Sequence, residues 1–195
     1  MSNGSGSSRR LILVKHSQPV LDPAVPPREW RLGREGAEQS QRLDERLRAF
    51  LPFTLVSSPE PKAVRTGEIV ATILGITNAI VDGLEEFDRP AMPIVTPEEH
   101  ERINASIFTT RALPVLGRES ADAALARFRA AIDRALAPLP SGHTLVVIAH
   151  GTVIALFVAQ QTGRDAFELW TSLECADWLQ LEMRADAGGD TCDSH

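Results

Sequence analysis

Cysteine is scarce in this sequence. Of 195 residues only Cys175 and Cys192 are cysteines, one in an apolar stretch and one in a polar tail. Neither builds a disulfide framework or a metal knuckle, so a reducing compartment is expected, the cytoplasm by default. Long hydrophobic runs are missing as well. The longest, Thr144 to Ala149 and Val153 to Ala159, are separated by His150 and Gly151 and fall short of the ~18 apolar residues of a membrane span. Residues 2–8 are only Ser, Gly and Asn. They lack the basic start and apolar core of a signal peptide, so residues 1–8 are expected to form a flexible tail. Nor is there an excess of positive charge: 20 Lys and Arg against 26 Asp and Glu leave −6. That balance argues against a nucleic-acid surface while allowing a small cationic pocket.

What is present is ordinary for a globular chain, with 43% hydrophobic and 24% charged residues. At ~150 residues per domain the length corresponds to one domain, expected over residues 9–185, with 186–195 as a second tail. A chain of this size buries about 70% of the surface its unfolded form exposes and needs no staples.

Apolar runs and turn signals alternate along the chain. Leu11 to Val14 is rich in branched residues and bounded by charges, which predicts a strand buried on both faces. Residues 18–33 carry Pro19, Pro23, Pro26 and Pro27 and are expected to be a loop. Ala37, Leu43, Leu47 and Phe50 recur at helical spacing, predicting an amphipathic helix over 34–50. A strand over Phe53 to Val56 runs into Ser58-Pro59, a pair suited to N-cap and first helical position. The helix it opens is closed by Gly75. A short strand over 79–81, a helix start at Thr96-Pro97, a helix over 120–137, a strand over Thr144 to Ala149, a helix over 152–162 and a late edge strand over Ala176 to Met183 complete the pattern. No segment repeats. Strands alternating with helices predict an α/β/α sandwich around a mainly parallel sheet. In such a sheet ligands bind outside the carboxyl ends of the strands.

The chemistry-bearing residues cluster at those ends. Two buried strands each stop at a histidine, in Lys15-His16-Ser17 and in Ala149-His150-Gly151, and a third stops at Ser57-Ser58 with Lys62 one turn into the following helix. If the strands are neighbours, two imidazoles, two lysines and helix N-termini converge into an oxyanion site. Singly, each histidine is no more than a polar strand terminus. No cluster has metal-ligand spacing, and lysines oppose a cation.

With these motifs the chain resembles the histidine phosphatase superfamily, the phosphoglycerate-mutase-like proteins, over residues ~10–184. That family opens with a strand and Arg-His-Gly, here Lys15-His16-Ser17. A Trp-Pro-Leu-Thr/Ser-x-x-Gly segment follows, here Trp30 to Gly36. Ser-Pro-x-x-Arg-Ala corresponds to Ser58 to Ala63, Leu-x-Glu to Leu84-Glu85-Glu86, and Ser-His-Gly to Ala149-His150-Gly151. The resemblance implies a phosphoglycerate-mutase-like fold and hydrolysis of a small phosphomonoester through a phosphohistidine, with no metal or cofactor. It makes His16 the nucleophile, with one ring nitrogen held so that the other is free. Glu86 becomes the general acid and base, and His150 an oxyanion donor. Lys15, Lys62, Ser17 and the Gly151 amide become the substrate-binding groups. The implied partner is a small phosphorylated molecule or inorganic phosphate, not nucleic acid or a membrane; nothing in the sequence sets an oligomeric state.

Four departures stand out. Both family arginines are lysines, at 15 and 62, which keep the charge but lose the two-pronged fork that grips phosphate. Ser17 stands where glycine is usual, and Asp22 falls where many members have asparagine. A catalytically weak member that binds phosphate or a phosphorylated partner is therefore the alternative, and a phosphoglycerate-type mutase a more remote one. Only about thirty residues separate Glu86 from the helix at 120, too few for the water-excluding cover a mutase of this family carries. A phosphohistidine-protein phosphatase fits less well, since compact members of that branch usually lack the acid. Glu85 and Asp88 flank Glu86 without the motif spacing. Arg65 is expected in a surface ion pair or, failing that, in place of a lost guanidinium. Arg28, Arg31, Arg34 and Arg89 are loop arginines near the proposed mouth. His100 and His143 have no motif support, and Trp178 is expected in packing.

Overall fold

The computed structural model describes residues 8–91 and 95–184. The elements run β1 (Ser8–Lys15), α1 (Arg34–Leu47), β2 (Phe53–Ser57), α2 (Pro61–Leu74), β3 (Asn78–Ile80), α3 (Pro97–Thr109), α4 (Ala121–Leu136), β4 (Thr144–Ala149), α5 (Gly151–Thr162), α6 (Ala166–Ser172) and β5 (Trp178–Arg184). The five strands form one sheet in the order β3-β2-β4-β1-β5. All pairings are parallel except that of β5, which lies antiparallel to β1 at the edge.

Alternation along the buried strands explains the three layers. In β1, Leu11 and Leu13 face one core with Leu145 and Val147 of β4, while Ile12 and Val14 face the other with Val146 and Ile148. Helices α4 and α5 cover the first face through Phe128, Ile132, Ile154 and Phe157; α1 and α2 cover the second through Leu43, Leu47, Ala63 and Val70. Because both faces are covered, the strands are continuous apolar runs, and each buried Leu- or Ile-sized side chain contributes about 1.5–3 kcal/mol.

Three details depart from the sequence expectations. Ser8, assigned to the tail, is the first residue of β1 and pairs with Arg184; residues 1–7 and 185–195 lie outside the described residues. The helix expected at Ser58-Pro59 starts two residues later, with Glu60 at the N-cap position and Pro61 in the first turn. The Ser58 hydroxyl accepts from the Glu60 amide at 3.3 Å and meets His150 Nε2 at 2.8 Å, and Pro61 suits the first turn as well as Pro59 does. Helix α6 has no sequence expectation; it is one short segment capped by Asp165, whose carboxylate accepts from the Glu168 amide.

The parallel register is what positions the site. Strand β4 lies between β1 and β2, with Lys15 opposite Ala149 and Ser57 opposite Ile148. The ladder continues past the strand ends: His16 N donates to Ala149 O at 3.0 Å and Ser58 N to Ile148 O at 2.9 Å. Histidine, histidine and serine therefore emerge side by side on one edge.

Candidate active site

The His16 and His150 rings meet edge to face, their centroids 5.1 Å apart and their planes at 60°. Both are buried. His16 Nδ1 lies 2.8 Å from the Ser17 carbonyl oxygen. A carbonyl only accepts, so Nδ1 carries the proton and Nε2 keeps its lone pair. Burial, then the neighbouring His150 and Lys62, push the His16 pKa well below its ordinary value. The ring is neutral at pH 7, with Nε2 as its free base. Ala176 adds a backbone clamp: its φ of 60° is left-handed, and its amide donates to Lys15 O at 3.1 Å and His16 O at 3.3 Å.

His150 is also kept neutral, by burial first and then by the Lys62 charge. Its Nε2 is 2.8 Å from Ser58 Oγ and 3.6 Å from Glu60 Oε1. Its Nδ1 is buried with no hydrogen-bond partner. Lys62 comes from the first turn of α2 and its ammonium is almost entirely buried. It donates to the Pro27 carbonyl at 2.8 Å and to the Glu60 carboxylate. Lys15 reaches the same end of the sheet from β1 and donates to the Leu173 carbonyl at 2.7 Å. A Cβ on Gly151 would lie 3.4 Å from Lys15 Cε and 3.5 Å from the Trp170 ring, so the start of α5 is packed between these two side chains.

Glu86 sits on the first turn of α5. Its Oε2 accepts from Thr152 N at 3.1 Å, and its Oε1 from Val153 N at 3.3 Å and Phe87 N at 2.9 Å. The helix N-terminus thus holds this carboxylate, as its orphan amides and partial positive charge favour. Arg127 of α4 straps the Glu86 segment in place, donating to the Gly83 and Glu85 carbonyls at 3.0 Å and the Glu86 carbonyl at 3.3 Å. Burial lowers the Arg127 pKa, but Glu119, Glu85 and Glu86 together raise it above the ordinary value. Glu60 completes the link, accepting from Glu86 N at 2.7 Å.

The loop after His16 is held by α1 and α2. Ser17 N donates to Thr66 Oγ1 at 3.1 Å, and Ser17 Oγ accepts from Ser40 Oγ at 2.8 Å. Ser17 thus presents its carbonyl to His16, while its amide and hydroxyl are used within the protein. Gly36 is required by contact: a Cβ there would lie 2.2 Å from the Gln18 carbonyl oxygen. The Asp22 carboxylate accepts from Ala24 N at 2.9 Å, inside its own turn.

His16, His150, Lys15, Lys62, Glu86 and Gly151 are therefore gathered at one sheet edge. Arg65 is in an exposed ion pair with Glu68, and Trp178 packs against Phe50 and under the Arg46 guanidinium. His143 binds Thr54 at the opposite end of β4. His100 packs on Trp170 near Arg89 and Lys15, which lower its pKa after burial. Sequence reasoning missed Glu60, an unmarked position between the motif serine and lysine, and gave Arg89 little weight among four loop arginines. No local motif marks either: Glu60 pairs with Lys62 nearby but reaches Glu86 across 26 positions, and Arg89 reaches Thr152 across 63.

Paired imidazoles, two lysines and a helix-held carboxylate thus meet at the carboxyl edge of a mostly parallel α/β sandwich. The profile of the histidine phosphatase superfamily (branch 1) matches residues 11–188, and the chain belongs to that superfamily. No curated protein matches it. Among solved structures it is similar to mycobacterial glucosyl-3-phosphoglycerate phosphatase, with TM-score 0.72 and 21% identity over 90% of each chain. A putative alpha-ribazole-5'-P phosphatase from Escherichia coli superposes with TM-score 0.67 and 23% identity, over 89% of this chain and 90% of that one. A mutant phosphoserine phosphatase from Entamoeba histolytica, in complex with phosphoserine, gives 0.65 and 15% over 88% and 89%. These likenesses establish the phosphoglycerate-mutase-like fold.

Proposed function

We propose that this protein is a metal-independent phosphatase that hydrolyses a small phosphomonoester through a phosphohistidine at His16. The observation that carries this reading is the His16 tautomer: a neutral ring, proton on Nδ1, lone pair on Nε2, beside a second neutral imidazole and a buried lysine. That is the state an attacking imidazole requires. In the first step Nε2 bonds to phosphorus, the bond to the leaving oxygen breaks, and Glu86 gives that oxygen a proton. In the second, water transfers a proton to Glu86 as its oxygen attacks phosphorus. The P–N bond breaks and inorganic phosphate leaves. His150, Lys15, Lys62 and the Gly151 amide stabilise the non-bridging oxygens. The names of structurally similar proteins, phosphatases of a phosphoglycerate, a ribazole phosphate and phosphoserine, support a phosphomonoester as substrate.

One observation favours a second reading. Lys62 is neutralised by Glu60, and Lys15 is committed to a carbonyl, an arrangement suited to holding phosphate weakly without turnover. Hydrolysis of p-nitrophenyl phosphate in EDTA separates the two. Turnover lost in His16→Ala, with phosphate trapped on His16 by rapid quench, is the expected result. Phosphate affinity without turnover would leave a binding domain.

A further inference from the structure

We propose that Arg89 is a substrate-binding residue of this site, supplying the planar guanidinium grip on phosphoryl oxygens that Lys15 and Lys62 lack. The inference rests on the phosphatase reading above and deepens it. Arg89 lies in the segment after Glu86, and its Nη2 donates to Thr152 Oγ1 at 2.8 Å. Thr152 is two residues past His150, and its amide holds Glu86. The guanidinium is thereby fixed at the N-terminus of α5, beside both the second imidazole and the proposed acid. Arg89, Glu60 and Glu86 line one open cleft of about 420 Å³ that adjoins the proposed acid, although neither His16 nor His150 lines it.

Three further observations bear on Arg89. First, its Nε is buried without a hydrogen-bond partner, a state that costs free energy unless a ligand supplies an acceptor. Second, among the described residues no carboxylate lies within ion-pair distance of it, whereas Arg28, Arg65 and Arg127 are paired. Burial lowers its pKa, against which the fields of Glu86 and Glu60 act. Third, the backbone carrying it is wedged against a neighbouring segment: a Cβ on Gly117 would lie 2.0 Å from the Asp88 carbonyl oxygen. A half-buried, under-partnered fork at the site therefore stands ready where both lysines are already engaged by protein oxygens.

The test is calorimetric titration with inorganic phosphate, repeated with orthovanadate. Arg89→Ala is expected to weaken phosphate binding on the order of 10- to 100-fold, the range of a hydrogen bond to a charged group. Arg89→Lys guards against misfolding and restores the charge without the fork, so it should recover only part of the loss. Millimolar guanidinium ion should restore binding in Arg89→Ala but not in Lys62→Ala. Thr152→Val removes the anchor and should change affinity only a few-fold if Arg89 acts on the ligand itself. Unchanged affinity in Arg89→Ala, or a Thr152→Val variant that reproduces the whole loss without guanidinium rescue, would overturn the proposal. Wild type that binds no phosphate would sink both readings. Wild type that binds without turnover removes only the enzymatic one, and the same titrations still decide Arg89.

Discussion

Lys62 and Glu60 form a buried ion pair, their side chains 4% and 6% exposed, and the same carboxylate holds the Glu86 amide at 2.7 Å. A negative charge is thus built into the pocket proposed to receive an anion. Removing one partner of such a pair leaves the other charge uncompensated, which costs about 3–5 kcal/mol. Glu60→Gln keeps an oxygen for the Glu86 amide, so a loss near about 3 kcal/mol is expected in denaturant unfolding. The same change removes the internal competitor. Phosphate should therefore raise the Tm of Glu60→Gln by more than it raises that of wild type. Equal phosphate responses would show that the Glu60 charge does not oppose the ligand.

The two histidines set a pH dependence whose sign follows from their burial. Both pKa values are lowered in the folded protein, whereas the unfolded chain takes up protons near pH 6.5. Below that pH the unfolded state binds more protons, so stability is full above about 6.5 and falls as pH drops. The slope is about 1.4 kcal/mol per pH unit for each ring until its folded pKa is reached. Urea unfolding from pH 7.5 to 5 should show this decline, and His16→Ala should flatten it. In the rate profile, turnover should not be lost at the ordinary histidine pKa, because His16 remains a free base below it.

Gly36 packs against the segment that follows the proposed nucleophile. Gly36→Ala places a methyl 2.2 Å from the Gln18 carbonyl oxygen, and neither helix α1 nor the loop yields cheaply. Overpacking of this kind costs about 1–3 kcal/mol. Because Ser17 supplies the carbonyl that fixes the His16 tautomer, kcat should fall more than phosphate affinity. Steady-state kinetics alongside phosphate titration would expose the difference.

Core packing offers a control away from the chemistry. Phe128 of α4 and Phe157 of α5 are fully buried with ring centroids 5.7 Å apart. Phe128→Ala is expected to cost about 3–5 kcal/mol, measured by urea unfolding. The loss should be independent of pH between 5 and 7.5, in contrast to that of the histidine variants.

Much of this arrangement was legible in the chain. The runs Leu11 to Val14 and Thr144 to Ala149 are apolar at every position because both faces of their strands are covered. The helix start at Thr96 is readable from its hydroxyl, which accepts from the Glu99 amide at 3.2 Å. The α2 boundary differs because Ser58 satisfies the local rule for a cap, yet its hydroxyl serves both the Glu60 amide and His150, 92 positions away, and the helix opens at Pro61. Helix α6 escaped notice because it is one short segment, held by packing of Leu169 and Leu173 more than by its own pattern.

The sequence by itself determined the α/β layering and the placement of His16, Ser58 and His150 at strand ends, because alternation and turn chemistry act between near neighbours. Only the tertiary structure decided that β4 lies between β1 and β2, that Glu60 neutralises Lys62, and that Arg89 reaches Thr152. The Glu60–Glu86 and Arg89–Thr152 bonds span 26 and 63 positions. Such contacts depend on how helices and loops settle on the sheet, and burial and charge, acting in three dimensions, select them.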